Sequence, residues 1–95
     1  MNKKVCIITG ANSGIGKAAA IQIAREGHQV VMACRSLERG EIALQDVRRE
    51  ADSDSVEMMV VDMSRQASIK RFAAEFLEKY KVLDVLIHNA AAFDI

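Results

Sequence analysis

The sequence predicts a mainly parallel α/β sheet whose elements follow the order βαβαβαβ. Two observations predict this class: four short apolar runs rich in β-branched residues, and segments of helix length between them. Nearly continuous hydrophobicity in runs of strand length is typical of strands covered on both faces. Right-handed crossovers through the intervening helices then place these strands side by side in one sheet.

The predicted strands cover residues 5–9, 29–34, 56–62 and 82–88. The chain contains no proline and no low-complexity tract that would mark a linker. A chain of 95 residues buries only enough surface for one modest core. We therefore expect a single unit over residues 1–95.

Three helices are predicted between the strands. The first begins near Gly14 and ends before Gly27, a residue suited to the position just after a helix. The second covers residues 37–50, and the third follows Ser64, which is predicted to be its N-cap. Spacings of three and four residues define an apolar stripe on the third helix. The stripe consists of Ile69, Phe72, Ala73, Phe76, Leu77 and Tyr80.

The composition argues against several classes of function. Thirteen basic side chains balance thirteen acidic ones, which disfavours a nucleic-acid binder. The apolar run at residues 5–8 is too short for a signal peptide or a membrane span, so we expect a cytoplasmic protein. Cys6 and Cys34 lie in predicted strands without a thiol or histidine at metal-ligand spacing. We expect both to be buried, reduced thiols and expect no metal site.

A glycine-rich turn, Thr-Gly-Ala-Asn-Ser-Gly-Ile-Gly at residues 9–16, joins the first strand to the first helix. Its glycines allow the backbone to approach a pyrophosphate, and the amides of the helix N-terminus point at the anion. An ordinary turn without a ligand is the alternative, because glycine also serves such turns. A P-loop is disfavoured, since Ala11 replaces its first glycine and Ala18 replaces its metal-binding hydroxyl.

With this turn in place, the sequence resembles the short-chain dehydrogenase/reductase family over essentially its whole length. The other two motifs are Asp62 after the third strand and the pair Asn89-Ala90 after the fourth. The tripeptide Ala-Cys-Arg at residues 33–35 resembles the retinol-dehydrogenase-like branch. The resemblance implies a Rossmann-type doubly wound parallel sheet, of which this chain provides the first half and the strand beyond the switch point.

The resemblance also implies a dinucleotide site at the strand ends. Arg35 stands where a carboxylate would bind the ribose of NAD, and its guanidinium suits the 2′-phosphate of NADP, so NADP is favoured over NAD. A solvated arginine is the alternative. In the family, an aspartate at the position of Asp62 bonds the adenine amino group; a helix-capping carboxylate is the other interpretation. The predicted cofactor-binding residues are Thr9, Gly10, Asn12, Ser13, Gly14, Ile15, Gly16, Arg35, Ser36, Asp62, Met63, Asn89, Ala90 and Ala91.

The sequence around Asn89 departs from the family pattern. It is His-Asn-Ala-Ala at residues 88–91, where the family has Asn-Asn-Ala-Gly. Alanine adopts a positive φ less easily than glycine, so the local backbone is expected to differ. A histidine within an apolar strand is more often a hydrogen-bonded structural residue than a base, and we interpret His88 in that way.

No catalytic residue is predicted in this chain. The family transfers hydride with a tyrosine, a lysine four residues later and a serine, whereas the single tyrosine here, Tyr80, belongs to the apolar stripe. The resemblance implies the N-terminal, cofactor-binding half of a longer enzyme, inactive by itself. That enzyme would exchange hydride between NADP(H) and an alcohol or carbonyl compound, retinoid-like or otherwise lipophilic. A free-standing, non-catalytic dinucleotide-binding module is the alternative.

The sheet order 3-2-1-4 leaves the fourth predicted strand without a neighbour on its outer side. The apolar residues at 82–88 would then form an open edge interrupted only by Asp84. Open edges template pairing with other chains. We therefore expect the chain to associate with itself through residues 82–88, or else to be poorly soluble.

Overall fold

The computed structural model describes residues 3–12 and 14–89. In this part of the chain, four strands alternate with three helices in the predicted order. They are β1 (Val5–Thr9), α1 (Gly14–Arg25), β2 (Gln29–Cys34), α2 (Leu37–Ala51), β3 (Val56–Val60), α3 (Gln66–Lys79) and β4 (Val85–His88). All strand pairs are parallel, and the sheet order is β3-β2-β1-β4. The predicted fold class and strand order are confirmed.

The strand register brings three strand ends together. Thr9 at the end of β1 pairs with Ala33 of β2 on one side and with His88 of β4 on the other. The glycine-rich turn therefore leaves the sheet at its centre, between the ends of two neighbouring strands. In parallel sheets this carboxyl edge is where ligands bind.

Apolar cores lie on both faces of the sheet. Ile8, Val30 and Met32 belong to the core beneath α1 and α2, whereas Ile7 and Val31 belong to the core that contains Phe76 of α3. Successive side chains of a strand point to opposite faces, so covering both faces buries all but the first position of β1 and of β2. This explains the nearly continuous apolar character of the two strands.

Small residues let the helices approach the sheet closely. The buried residues of α1 are Gly16, Ala20 and Ala24. A Cβ on Gly40 of α2 would lie 3.0 Å from the end of the Met58 side chain and 3.1 Å from Cβ of Cys34. No helix among the described residues has the length and apolar content needed to cross a membrane.

The start of α3 differs from the prediction. The helix begins at Gln66 and its N-cap position is Arg65, which makes no side-chain cap bond, so the prediction of Ser64 as N-cap is wrong. The Ser64 backbone N–H and hydroxyl both donate to Oδ1 of Asp62, over 3.0 and 2.6 Å. Ser64 is therefore used in a tight turn before the helix. The strand before it is also shorter than predicted and ends at Val60.

The apolar stripe of α3 is only partly buried. Phe76 is buried, and Ile69, Phe72 and Tyr80 pack around the same core. Ala73 and Leu77 were predicted to share this face but are exposed. The sheet contacts one side of the stripe, and no described residue covers its other side.

β4 is shorter and more exposed than the other strands. Its predicted range of 82–88 is reduced to Val85–His88, and Leu86 keeps 59% of its surface exposed. Among the described residues, no strand pairs with its outer side. Asp84, which precedes β4, is directed toward β1, where its Oδ2 accepts a hydrogen bond from the Val5 backbone N–H over 2.8 Å.

Both cysteines are buried free thiols, as predicted. Burial raises the pKa of each. For Cys34, a hydrogen bond from the backbone of Ala11 offsets part of this effect. Both thiols are therefore held in the protonated, unreactive form.

Tyr80 connects α3 to β3 at the amino edge of the sheet. Its hydroxyl donates to Glu57, and its ring centroid lies 5.0 Å from that of Phe76. Nζ of Lys79 lies 2.7 Å from Oε1 of the same carboxylate. Partial burial opposes ionisation of Glu57, but the hydrogen bonds from Lys79 and Tyr80 together outweigh it and lower its pKa. Burial, together with Glu57, raises the pKa of Tyr80.

We expect Tyr80→Phe to lower the free energy of unfolding by about 1 kcal/mol at neutral pH, the value of one hydrogen bond. The pKa of Glu57 is lower in the folded protein than in the unfolded chain, so its carboxylate stabilises the fold at pH values above the unfolded pKa. This contribution is lost as the pH falls through the folded pKa. The difference in free energy of unfolding between the variant and the unsubstituted protein is therefore expected to shrink in acid. Urea unfolding at neutral and at acid pH measures this difference, with Glu78→Gln on the same helix as the control. Equal stability at neutral pH would contradict the assignment.

Candidate cofactor-binding site

The glycine-rich turn starts at the centre of the sheet edge. Gly10 and Gly14 have φ values of +62° and +59°, which side-chain-bearing residues rarely adopt. The Gly10 N–H donates to the Ala33 carbonyl over 3.0 Å, so the turn is anchored to the end of β2. Helix α1 then begins at Gly14, and the free amides of its first turn lie at this edge. Ser13, also predicted as a site residue, lies outside the described residues.

The three glycines serve different purposes. A Cβ on Gly16 would lie 2.5 Å from the Gly10 carbonyl oxygen and 2.7 Å from Nδ2 of Asn89, while one on Gly10 would lie 2.7 Å from the Asn89 carbonyl oxygen. A Cβ on Gly14, by contrast, would meet no atom of the described residues within 4 Å, its chain neighbours and its own helix backbone aside. The first and third glycines are therefore required by contacts within the protein, and the second leaves an open surface where a ligand could approach.

Asn89 holds the turn against the end of β4. Its Nδ2 donates to the Gly10 carbonyl over 3.1 Å, and its backbone N–H donates to Oγ1 of Thr9 over 2.9 Å. Nδ1 of His88 lies 3.1 Å from the same hydroxyl oxygen, so His88 is hydrogen-bonded, as predicted. The predicted site residues Ala90 and Ala91 lie outside the described residues.

Arg35 and Asp62 lie side by side where β2 and β3 end. Nε of Arg35 is 3.9 Å from Oδ2 of Asp62, and the Arg35 side chain is 80% exposed. Hydrogen bonds from Ser64, and then the nearby Arg35, lower the pKa of Asp62. A long, exposed ion pair contributes little to stability. The guanidinium is therefore available to an anionic ligand, and the ionised carboxylate is available to a hydrogen-bond donor.

Three further predicted residues differ in their surroundings: Ser36 caps a helix, whereas Ile15 and Met63 are exposed. Ser36 is the N-cap of α2, and its Oγ accepts the Arg39 backbone N–H over 3.1 Å. Ile15 in the first turn of α1 is 82% exposed, and Met63 beside Asp62 is 46% exposed. Both apolar side chains are therefore accessible to a ligand.

A cavity of about 340 Å³ between α1 and α2 adjoins the turn. It is lined by Asn12, Lys17, Arg39, Ile42, Ala43 and Asp46. Lys17 Nζ lies 2.9 Å from Oδ2 of Asp46, and Arg49 contacts the other carboxylate oxygen over 2.8 Å. The hydrogen bonds from Lys17 and then Arg49 lower the pKa of Asp46. Sequence reasoning did not place Lys17 at the site; its position directly after the last glycine was the available signal.

The arrangement is that of an anion-binding edge. It combines free helix amides, an exposed guanidinium, an ionised carboxylate and two exposed apolar side chains.

The profile of the family described as short chain dehydrogenase matches residues 4–94. The chain therefore belongs to the short-chain dehydrogenase/reductase family, and the resemblance predicted from its motifs is confirmed.

Curated relatives include members of the retinol dehydrogenase group. Human dehydrogenase/reductase SDR family member 13 is 49% identical over 87 residues, which cover 92% of this chain and 23% of the relative. Human retinol dehydrogenase 13 is 41% identical over 87 residues, with 92% and 26% covered. The chain thus spans about a quarter of the length of these relatives.

Solved structures show the same fold. Menthone neomenthol reductase from Mentha piperita superposes with a TM-score of 0.90 at 30% identity, covering 97% of this chain and 33% of that one. The Thermococcus sibiricus alcohol dehydrogenase complexed with 5-hydroxy-NADP gives 0.78 at 33% identity, with 90% and 36% covered. An NAD⁺-bound xylitol dehydrogenase gives 0.78 at 27% identity, with 90% and 32% covered.

The contacts of Gly16 predict a large effect of one added methyl group. We expect Gly16→Ala to lower the free energy of unfolding by at least about 3 kcal/mol, at the upper end of overpacking costs, because the clash involves backbone. The control is Gly27→Ala. Gly27 has a φ of +95°, and a Cβ there would meet no atom of the described residues within 4 Å, its chain neighbours aside, so the substitution should cost only about 1 to 2 kcal/mol of backbone strain. Urea unfolding compares them. A Gly16→Ala loss no larger than the control would refute the contact argument.

Proposed function

We propose that this chain binds NADP at the carboxyl edge of its sheet. The observation that carries the proposal is the exposed guanidinium of Arg35 at the end of β2. In dinucleotide-binding folds an acidic residue near this strand end binds the ribose of NAD, whereas arginine accommodates the 2′-phosphate of NADP. The chain has no carboxylate at residues 33–37.

The rest of the site supports the same orientation of the dinucleotide. The open side of Gly14 and the amides of α1 suit the pyrophosphate. Asp62 suits a hydrogen bond from the adenine amino group, because its pKa is lowered and it is ionised at neutral pH. The fold does not choose between the cofactors, since it occurs with both NADP-type and NAD⁺ ligands. The choice of NADP rests on Arg35.

We further propose that the chain is the cofactor-binding segment of an oxidoreductase. When bound, NADP(H) would accept or donate hydride, with an alcohol or carbonyl compound as the other reactant. The relatives named retinol dehydrogenases support a lipophilic, retinoid-like substrate. Tyr80 does not serve as the acid/base, because it is bonded to Glu57 at the amino edge, away from the glycine-rich turn. The chain by itself is expected to show no NADP-linked turnover of retinol, because its single tyrosine has no lysine four residues later. A reading frame that continues past Ile95 into a Tyr-x-x-x-Lys motif would favour this function over that of a purely binding module.

We expect Arg35→Ala to weaken NADP binding by about 1 to 3 kcal/mol, the range for hydrogen bonds to a charged group, and to leave NAD binding nearly unchanged. Isothermal titration of both cofactors measures the difference, with Arg71→Ala on α3 as the matched loss of an exposed arginine. Similar losses for NADP and NAD would sink the assignment of Arg35.

We also propose self-association through the edge at residues 82–88, with a second copy of this chain as the partner. Val82, Leu83, Val85 and Leu86 are all exposed. The Asp84 carboxylate is directed toward β1, where it accepts the Val5 backbone N–H, and so does not occupy the outer side of β4. Backbone groups on the outer side of β4 are available for pairing in the part of the chain that the structure describes.

Leu86→Lys is expected to raise the dissociation constant of this assembly by about tenfold or more, because a lysine at the centre of the contact opposes burial. Sedimentation at several concentrations measures it. Ile42→Lys is the control, since Ile42 is 63% exposed on α2. A monomer at high micromolar concentration with the strand intact would end this proposal.

A further inference from the structure

The hydroxyl of Thr9 has two hydrogen-bonding neighbours at the end of β4. Its Oγ1 accepts the Asn89 backbone N–H over 2.9 Å. The same oxygen lies 3.1 Å from Nδ1 of His88. Thr9 is buried, with 5% of its surface exposed. Buried polar groups are almost always hydrogen-bonded, so the hydroxyl proton needs a partner within the protein.

The tautomer of His88 follows from the donors and acceptors. A backbone N–H can only donate, so Thr9 uses its oxygen toward Asn89 and keeps one proton to donate. Among the described residues, the one other partner of this hydroxyl is Nδ1 of His88. If Nδ1 carries no proton it accepts from Thr9, and the imidazole proton is on Nε2. A protonated Nδ1 would instead leave the Thr9 proton without an acceptor among these residues.

This hydrogen bond connects to the glycine-rich turn through Asn89. The Asn89 side chain donates to the Gly10 carbonyl. A Cβ added to Gly10 would lie 2.7 Å from the backbone carbonyl oxygen of Asn89. The position of Asn89 therefore determines where the Gly10 carbonyl lies. Gly16 at the start of α1 packs against the Gly10 carbonyl oxygen and against Nδ2 of Asn89.

We propose that His88 is a positioning residue for the glycine-rich turn. Its unprotonated Nδ1 accepts the Thr9 proton, which orients the Thr9 oxygen toward the Asn89 amide and holds Asn89 against Gly10. The proposal rests on the proposed dinucleotide site, because the turn that His88 orders is the one that would bind the pyrophosphate. His88 acts through Thr9 and Asn89 and has no catalytic role.

Three substitutions at residue 88 test the geometry. His88→Asn keeps an acceptor at the distance of Nδ1, His88→Gln places one at the distance of Nε2, and His88→Leu has none. Fluorescence titration with NADPH is expected to show affinity within about twofold of the unsubstituted protein for Asn, and about tenfold weaker for Gln and Leu, as for one lost hydrogen bond. Circular dichroism checks that each variant is folded.

The comparison of the Asn and Leu variants separates positioning from packing. Both substitutions remove the imidazole ring, but only asparagine keeps an acceptor near Oγ1 of Thr9. Equal losses of NADPH affinity in the Asn and Leu variants would overturn the proposal.

Nitrogen chemical shifts of the His88 ring test the hydrogen bond without any dinucleotide. At about pH 8 we expect Nδ1 to be unprotonated and the proton to be on Nε2, the pattern of a neutral acceptor. A proton on Nδ1 would overturn the inference even if NADPH binds. If Nδ1 is unprotonated but neither NADPH nor NADH binds any variant, the proposed function fails, and the positioning role fails with it.

Discussion

The close contact between the glycine-rich turn and Asn89 is the constraint on which the rest of this sheet edge depends. It joins the end of β1 and the start of α1 to the end of β4, which lies about 80 residues later in sequence. Backbone and side-chain atoms approach so closely that neither Gly10 nor Gly16 can carry a Cβ. The direction of α1, and hence of its free amides, follows from this packing.

The two faces of the sheet are stabilised in similar ways. Each has an apolar core, and each has a polar contact at its periphery that joins separate elements. On one face Lys17 and Asp46 connect α1 to α2; on the other, Tyr80 and Lys79 connect α3 to Glu57 of β3. Partly exposed ion pairs contribute modestly, so burial supplies most of the stability, while these contacts set how the helices lie on the sheet.

The residues at this sheet edge fall into two groups. Arg35 and Ile15 are exposed, whereas Thr9, Gly16 and Asn89 make contacts within the protein. Substitutions in the first group are therefore expected to affect stability little, whereas substitutions in the second group disturb the packing of the turn.

The sequence by itself determined the order of the elements, the parallel sheet, the position of the glycine-rich turn and the burial of Cys6 and Cys34. These features depend on local periodicity and on apolar runs, which every residue of an element helps to define. Tertiary structure alone decided that Ser64 bonds Asp62 instead of capping α3, that Leu77 is exposed, and that His88 meets Thr9. Each of these depends on which group lies nearby in space, and pairings across 79 residues, such as that of Thr9 with His88, leave no periodic signal in the chain.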